Sequence, residues 1–181
     1  MAIYWTQFNK GHKGLASNFK VNPNSCGNSE HFHRYLNFCA ITDQKIGKGV
    51  TYILVNEEEC NKKKDIIGFI TLKAASLVMI SDNHMEGYPA VEISELAVDL
   101  NFERKGFGTD LVNYVIKIAN KLRNEIIGVE YIVTCSEPLS VPFYIKNNFY
   151  KLENYFDIPF DIPREGWNVD CIPMAFKLPE N

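Results

Sequence analysis

A strand, a glycine-containing turn and a long amphipathic helix follow one another between residues 91 and 122. The apolar run that ends at Val98 has the composition of a strand, and Gly106 and Gly108 lie in the connection that follows it. From Phe107 to Leu122, apolar side chains recur at helical spacing. The first N–H groups of a helix have no partner within it, so this turn must either be capped or hold a ligand.

Phosphate is the ligand that such a turn favours. Glycine lets the backbone approach an anion without interference from a Cβ atom, and the helix dipole attracts negative charge. Arg104 and Lys105 add positive charge just before the turn. The spacing excludes a P-loop, and it excludes a dinucleotide fingerprint because Leu111 stands where the third glycine is needed. The sequence therefore predicts a pyrophosphate site, with a plain tight turn as the alternative.

The rest of the chain alternates between strand and helix patterns. Further strands are predicted at 51–56, 66–72, 91–98, 131–135, 149–155 and 172–178. Helices are predicted after the cap residues at 25–29, for about three turns, and from Pro138 to Asn147 or Asn148. Residues 80–90 hold turn formers without a period, which predicts a loop. No linker divides the chain, so residues 1–181 are expected to form one domain.

Composition narrows the class of protein. No apolar run approaches the roughly 20 residues of a membrane span, and the N-terminus lacks the pattern of a secretion signal. The five cysteines are scattered, with no C-x-x-C pair, so neither a disulfide framework nor a zinc knuckle is expected and a cytoplasmic location fits best. Residues 1–50 carry six Lys/Arg and two acids, or +4, which leaves −7 for the remainder of a chain of net charge −3. This asymmetry indicates either an anionic partner or an uneven solvated surface.

The central elements together resemble a known family. Over about residues 91–150 the elements come in the order Leu-Ala-Val-Asp, Arg-Lys-Gly-Phe-Gly, a long helix, a strand, Phe143-Tyr144 and Asn148-Phe149. This order resembles that of the acetyl-CoA-binding core of the GNAT N-acetyltransferase superfamily. The resemblance implies a mixed α/β fold: a largely antiparallel sheet of six or seven strands, parallel only at the cofactor cleft, with about four helices. Glu103 stands where the family has Arg or Gln, and Asn148 where it usually has Gly; Asn tolerates the left-handed conformation.

The same resemblance implies a reaction and a binding site. The reaction is direct attack of a primary amine on the thioester of acetyl-CoA, which binds where two strands splay. Main-chain donors at Leu96 and Val98 would polarise the thioester carbonyl, and one such donor is typically worth about 3 kcal/mol. The residues implied for acetyl-CoA binding are Leu96, Ala97, Val98, Arg104, Lys105, Gly106, Phe107, Gly108, Thr109 and Ser136.

Three further side chains are candidates for moving protons. Tyr144 matches the acid tyrosine of the family, and a phenol of pKa about 10 can serve a thiolate whose thiol has a pKa of about 8.5. Glu92 is the first candidate for a base, by its match to the histone-modifying relatives. Glu95 is the second, on the opposite face by strand alternation. An α-amino group loses its proton at a cost of only about 1 kcal/mol, so it scarcely needs a base. No metal site is predicted, because His31 and His33 point to different sides of a helix.

A narrower resemblance concerns the acceptor. Cys26-Gly27-Asn28 and the stretch from Gly68 to Leu77 are similar to the GNAT branch that includes toxins of toxin–antitoxin pairs, which acetylate aminoacyl-tRNA. That branch tends to carry Arg just before Leu-Ala-Val, where this chain has Glu95. Acetyl transfer to an unidentified primary amine is the leading hypothesis; the tRNA toxin and a non-catalytic CoA-binding module are the alternatives. An antitoxin partner and a homodimer stay open, and no membrane partner is expected.

Overall fold

The computed structural model describes residues 2–58, 63–81, 84–152 and 171–180. In these ranges seven strands form one sheet in the order β1-β2-β3-β4-β5-β7-β6. The strands are β1 Ala2–Gln7, β2 Val50–Glu57, β3 Lys64–Ser81, β4 His84–Val98, β5 Tyr131–Ser136, β6 Tyr150–Lys151 and β7 Ile172–Lys177. Among the described pairs only β4 and β5 run parallel. The predicted sheet, largely antiparallel and parallel at one place, is confirmed.

Helices cover both faces of this sheet. They are α1 Lys13–Ala16, α2 Ser29–Arg34, α3 Ala40–Lys45, α4 Phe107–Glu125 and α5 Val141–Lys146. A π-helical turn, Tyr35–Cys39, joins α2 to α3 without a break, so the described helices form four units, as predicted. The helix predicted after residue 29 therefore runs on to Lys45. Short 3-10 turns at Lys10–His12, Leu100–Phe102 and Pro138–Ser140 complete the helical structure of the described ranges.

Each face of the sheet has its own core. On one face α4 buries a stripe at helical spacing, including Leu111, Val115 and Ala119, against β3 and β4. Each fully buried Leu or Val of this kind stabilises the fold by about 1.5 to 3 kcal/mol relative to an exposed one. On the other face, Phe19 and Leu36 from the N-terminal segments pack against β2 and β3. The sheet is thus held between two helical layers, and β4 contacts both.

Two parts of the sheet differ from the prediction. The first strand, β1, has no counterpart among the predicted elements; its Trp5 ring stacks on Tyr114 of α4 with ring centroids 3.9 Å apart. The loop predicted at 80–90 is wrong for its described residues, because residues 80–81 end β3 and residues 84–90 begin β4. Gly87 and Pro89 thus lie inside β4 and pair with β3. Pro89 cannot donate a backbone hydrogen bond, but its carbonyl accepts one from Glu130 at 2.8 Å. Of the strand predicted at 149–155, residues 153–155 lie outside the described residues.

Two cysteines also depart from expectation. Cys135 and Cys171 form a disulfide, with their Cα atoms 5.4 Å apart. They meet because β5 and β7 are antiparallel neighbours, and Cys135 lies opposite Pro173 in the register. The spacing of the cysteines predicts no disulfide framework, and this pair departs from that prediction. Cys26 and Cys39 remain thiols, and Cys60 lies outside the described residues.

Candidate active site

The two parallel strands separate at the centre of the sheet. Their pairing ends at Ile93 and Thr134, where the Thr134 hydroxyl donates a hydrogen bond to the Ile93 carbonyl at 3.0 Å. Beyond this point β4 continues with β3, and β5 continues with β7 as far as Ser136. The backbone of residues 96–98 therefore has no partner strand on the β5 side. A cavity of about 590 Å³ lies in this opening.

The start of α4 lies at the same cavity. Gly106 is the cap residue, and the first helical hydrogen bond runs from the Asp110 N–H to the Gly106 carbonyl at 3.2 Å. No side chain caps this helix start. Gly108 and Thr109, within the first turn, line the cavity. The turn thus presents N–H groups to the opening, and they suit an anion.

The two glycines are needed for different reasons. Gly106 has φ +91°, in the left-handed region, and a Cβ atom there would meet nothing within 4 Å. Its requirement is one of backbone conformation. Gly108 has an ordinary helical position, but a Cβ atom there would lie 3.0 Å from Cε2 of Phe143. Gly108 therefore allows α4 to pack closely on α5, the helix that carries Tyr144.

Most of the residues predicted to bind acetyl-CoA lie together. Those that line the cavity are Leu96, Ala97, Val98, Arg104, Gly106, Gly108, Thr109 and Ser136. Two side chains turn elsewhere. The Lys105 ammonium donates a hydrogen bond to the Asn101 carbonyl at 2.8 Å, and the Phe107 ring packs edge-on against Phe102. Lys105 and Phe107 can therefore contribute their backbone groups to this site more readily than their side chains.

The departure from the family pattern at Glu103 has a structural role. Its carboxylate accepts a hydrogen bond from the Asn22 side-chain amide at 3.1 Å, which ties the N-terminal segment to the turn. The next residue, Arg104, has φ +58° and is exposed beside the cavity. Asn148 has φ +64°, which confirms that Asn adopts the left-handed conformation at the position where the family usually has Gly.

Tyr144 lies on the cavity wall with its ring in the core. The residue is 6% exposed and its ring packs edge-on against Phe143 and Phe149. Burial raises the pKa of Tyr144 to about 12, and the negative charge of Glu95 acts in the same direction. Tyr144 is therefore a neutral hydrogen-bond donor throughout the physiological pH range.

The register of β3 and β4 decides which acid faces the cavity. Thr71 pairs with Glu95, Lys73 pairs with Glu92, and the register shifts by one residue between these pairs, at Ser94. Because Thr71 and Lys73 point to the same face of β3, Glu92 and Glu95 also share a face. Their predicted placement on opposite faces is wrong, since the bulge cancels the alternation. Of the two, Glu95 lines the cavity and Glu92 does not.

A histidine from the N-terminal layer pairs with Glu95. Nε2 of His31, on α2, lies 3.1 and 3.0 Å from the two carboxylate oxygens of Glu95. The Glu95 side chain is 9% exposed and the His31 side chain 29%. The hydrogen bond to Glu95 raises the pKa of His31, although burial lowers it. The sequence indicates no partner for His31 and makes it only a poor metal ligand, because the bulge that brings it to Glu95 leaves no signal in the sequence.

Two general properties of the described ranges complete the site. They contain no group of three or more His, Cys, Asp or Glu side chains arranged to hold a metal ion. None of the helices in these ranges is both long enough and apolar enough to cross a bilayer. The charged lining of the cavity is mixed: it comprises Glu95, Glu103, Glu137, Arg104, Lys146 and the His31 imidazole.

Comparison with known proteins agrees with this geometry. The profile of the Acetyltransferase (GNAT) family matches residues 18–149. The fold is similar to that of a tyrosine-to-phenylalanine mutant of KacT, at 13% identity and a TM-score of 0.72, over 98% of this chain and 96% of that one. It is also similar to AtaT complexed with acetyl-methionyl-tRNAfMet, at 14% identity and a TM-score of 0.69, over 95% and 94%.

A third solved structure contains a bound partner. It is an AtaT tyrosine-to-phenylalanine mutant toxin bound to the C-terminus of the antitoxin AtaR and acetyl-CoA, at 15% identity and a TM-score of 0.66, over 98% of this chain and 94% of that one. At such identities the likeness shows a shared fold. No curated protein sequence matches this chain.

Proposed function

Because the chain belongs to the GNAT acetyltransferase family, we propose that it transfers the acetyl group of acetyl-CoA to the α-amino group of an aminoacyl-tRNA. One observation carries the acetyl transfer: a single cavity joins the uncapped start of α4, the separated strands and the Tyr144 side chain. The acceptor is supported by the similarity of the fold, over 95% of the chain, to AtaT complexed with acetyl-methionyl-tRNAfMet.

The described residues suit acetyl-CoA along the whole cavity. The N–H groups in the first turn of α4 would hold the diphosphate, with Arg104 beside them. The unpaired backbone of residues 96–98 and the side of Ser136 would hold the amides of the pantetheine arm. Donors of this backbone, at Leu96 or Val98, would bind the thioester carbonyl oxygen as negative charge develops on it.

Tyr144 would stabilise the departing thiolate through a hydrogen bond. A thiol has a pKa of about 8.5, and burial raises the pKa of Tyr144 to about 12. Complete proton transfer from the phenol to the thiolate is therefore uphill by about 3.5 pKa units, or about 4.8 kcal/mol. The hydroxyl thus acts as a fixed donor while the carbon–sulfur bond breaks, and it keeps its own proton.

Charge supports an acceptor that carries phosphates. All six Lys and Arg side chains of the first 50 residues are exposed; they are Lys10, Lys13, Lys20, Arg34, Lys45 and Lys48. They belong to the N-terminal layer, which also supplies His31. The acid at position 95, where the toxin branch tends to carry Arg, is hydrogen-bonded to His31, so it is a partnered carboxylate rather than an isolated charge.

A small cationic amine is the second candidate acceptor. Three carboxylates line the cavity, those of Glu95, Glu103 and Glu137, and they favour a positively charged acceptor over a neutral one. A polyamine or a lysine side chain fits this description. Either must lose a proton against about 4.6 kcal/mol at neutral pH, whereas an α-amino group needs only about 1 kcal/mol.

The acceptor can be identified with radiolabelled acetyl-CoA. The purified protein is incubated with it and with total tRNA, either charged with amino acids or deacylated. We expect label in the charged RNA alone, released by mild base as N-acetyl amino acids, and strongly reduced with the Tyr144→Phe variant. Label in spermidine or protein lysines but not in charged tRNA would select the second candidate. No turnover with any amine, despite binding of acetyl-CoA, would leave a non-catalytic binding module.

An antitoxin partner is proposed on the same basis, since AtaT binds the C-terminus of AtaR. Induced expression of the chain should stop growth and protein synthesis, and expression of the Tyr144→Phe variant should not. A small protein encoded next to the chain should relieve the arrest. Harmless expression of the active wild-type chain would contradict a toxin.

A further inference from the structure

We infer that the His31–Glu95 pair binds the ammonium group of the acceptor and takes one proton from it before attack. The inference rests on the proposed function, because it names the group that receives the acceptor in the same cavity. The pair is defined as the Glu95 carboxylate on β4 and the His31 imidazole on α2, both of which line the cavity.

The contact geometry is that of a built site. Both oxygens of Glu95 lie within 3.1 Å of one imidazole nitrogen, and the carboxylate side chain is only 9% exposed. A buried carboxylate is costly unless it is paired, and its pairing here comes from a different layer of the fold. The bulge at Ser94 turns Glu95 to this face. Apolar contacts alone can hold α2 on the sheet, as the edge-on contact between Phe32 and Phe69 does.

The pair lies close to the group that would serve the thiolate. The charge of Glu95 acts on the hydroxyl of Tyr144, and both residues line the cavity. An amine bound at Glu95 would therefore lie in the same cavity as the thioester that Tyr144 serves. Glu92 shares the face of Glu95 but is two strand pairs farther along and outside the cavity lining, so it is not placed to receive the same amine.

Among the described residues, charged side chains from three elements act on His31. Glu95 on β4 and Glu137 before the Pro138–Ser140 turn raise the pKa of His31, while Arg34 on its own helix lowers it. The Tyr35 ring stacks on the imidazole, and the Tyr35 hydroxyl also feels the charge of Glu95. The acids dominate, so the imidazole holds a proton more readily than an exposed histidine.

The proton steps balance as follows. An acceptor R–NH3⁺ binds at the Glu95 carboxylate and gives one proton to the pair, which becomes imidazolium–carboxylate. The nitrogen lone pair forms the new carbon–nitrogen bond at the thioester carbonyl carbon, and the carbon–sulfur bond breaks. The nitrogen loses its second proton, which goes to the thiolate held by the Tyr144 hydroxyl. The imidazolium then releases its proton to water at the exposed edge of His31, so one proton is released per turnover.

A pH profile tests the pair with a defined acceptor. The probe is methionine amide, an α-amine without RNA, and kcat/KM for it is measured from pH 5.5 to 9. In the wild type, kcat/KM should fall at low pH with a pKa equal to that of His31. NMR of the ring protons measures the His31 pKa, which should lie above 6.5. Glu95→Gln removes the largest cause of the raised His31 pKa. The His31 pKa and the acid limb of kcat/KM should therefore both move to lower pH. The maximum of kcat/KM should fall at least tenfold, with KM for acetyl-CoA unchanged.

Two further variants make the result specific. Glu30→Gln removes an exposed acid from the helix of His31 and should leave the profile unchanged. Glu92→Gln tests the candidate favoured by sequence; a shift of the acid limb in this variant, and not in Glu95→Gln, would overturn the inference. So would an acid limb that stays at the pKa of the amine itself, about 7.8, in wild type and Glu95→Gln alike.

Binding without turnover supplies an independent measurement. Methionine amide added without acetyl-CoA should lower the pKa of His31, because an ammonium at Glu95 repels the imidazolium. An unchanged His31 pKa at saturating amide, or no acetylation of the amide by the wild type, would refute the pair as the ammonium site. Failure of the proposed function looks different: the amide is acetylated and the His31 pKa responds, but charged tRNA receives no label.

Discussion

Replacement of Tyr144 by Phe removes one hydroxyl from the cavity wall and little else. The ring contacts with Phe143 and Phe149 persist, and Thr134 keeps its hydrogen bond to the Ile93 carbonyl. The expected loss is that of a hydrogen bond to a charged group, about 1.5 to 3 kcal/mol. At 1.36 kcal/mol per factor of ten, kcat should fall about 10- to 150-fold. Affinity for acetyl-CoA should stay within about twofold.

The raised pKa of Tyr144 gives this prediction a second, sharper form. Since burial raises that pKa to about 12, the hydroxyl should remain protonated at pH 10, and no alkaline limb of kcat should come from this residue below that pH. Thiol release is followed with a chromogenic disulfide between pH 6 and 10, and acetyl-CoA binding is followed by calorimetry. Tyr131→Phe is the matched control, because Tyr131 is equally buried but lies outside the cavity lining.

Two outcomes would refute the reasoning. The first is an unchanged kcat in Tyr144→Phe, which would remove the hydroxyl from the reaction. The second is an alkaline limb near pH 10 that disappears in the variant, which would mean that the phenol titrates as an exposed one does.

The other predictions concern the turn, the sheet and the pair. Gly106→Ala should destabilise the unliganded protein by about 1 to 2 kcal/mol, because φ +91° is strained for Ala, and urea denaturation measures it; equal stability would mean that the turn relaxes. Gly68→Ala should lower the melting temperature by several degrees, because its Cβ would lie 2.9 Å from the Ala97 carbonyl oxygen; a higher melting temperature would contradict that close approach. His31 has a folded pKa raised above 6.5, so its pairing stabilises the fold fully below pH 6.5 and this contribution is lost as the pH rises through the folded pKa. The stability difference between wild type and Glu95→Gln should therefore be larger at pH 6 than at pH 9.

The elements that sequence predicts best are those fixed by local pattern. The α4 stripe from Phe107 to Leu122 and the short β-branched strand at Tyr131 appear where periodicity and composition predict them. The first part of β4 does not, because Gly87 and Pro89 are locally typical of chain breaks. In the fold, long antiparallel pairing with β3 holds both in β4. Sequence spacing also cannot show that Cys135 and Cys171 meet across β5 and β7.

The candidate site likewise has parts that the sequence predicts and parts that only the fold reveals. The glycine turn and Tyr144 sit in recognisable motifs, and both reach the cavity. The pairing of His31 with Glu95 joins residues 64 positions apart, and it depends on a register shift that only the finished sheet reveals. Gly108 illustrates an intermediate case: its motif predicts a glycine, but the reason found here, close packing on Phe143, is tertiary.

Because β4 contains one extra residue at Ser94, the faces to which its side chains point depend on the length of the strand more than on its composition. An in-frame loss of the Ser94 codon would restore strict alternation and rotate every side chain on one side of it to the opposite surface of the sheet. Either Glu95 would enter the apolar core beneath α4, or Ile93 would leave that core. We therefore expect this strand to tolerate point substitutions better than insertions or deletions. Relatives of this chain should have a constant number of residues between Val91 and Val98.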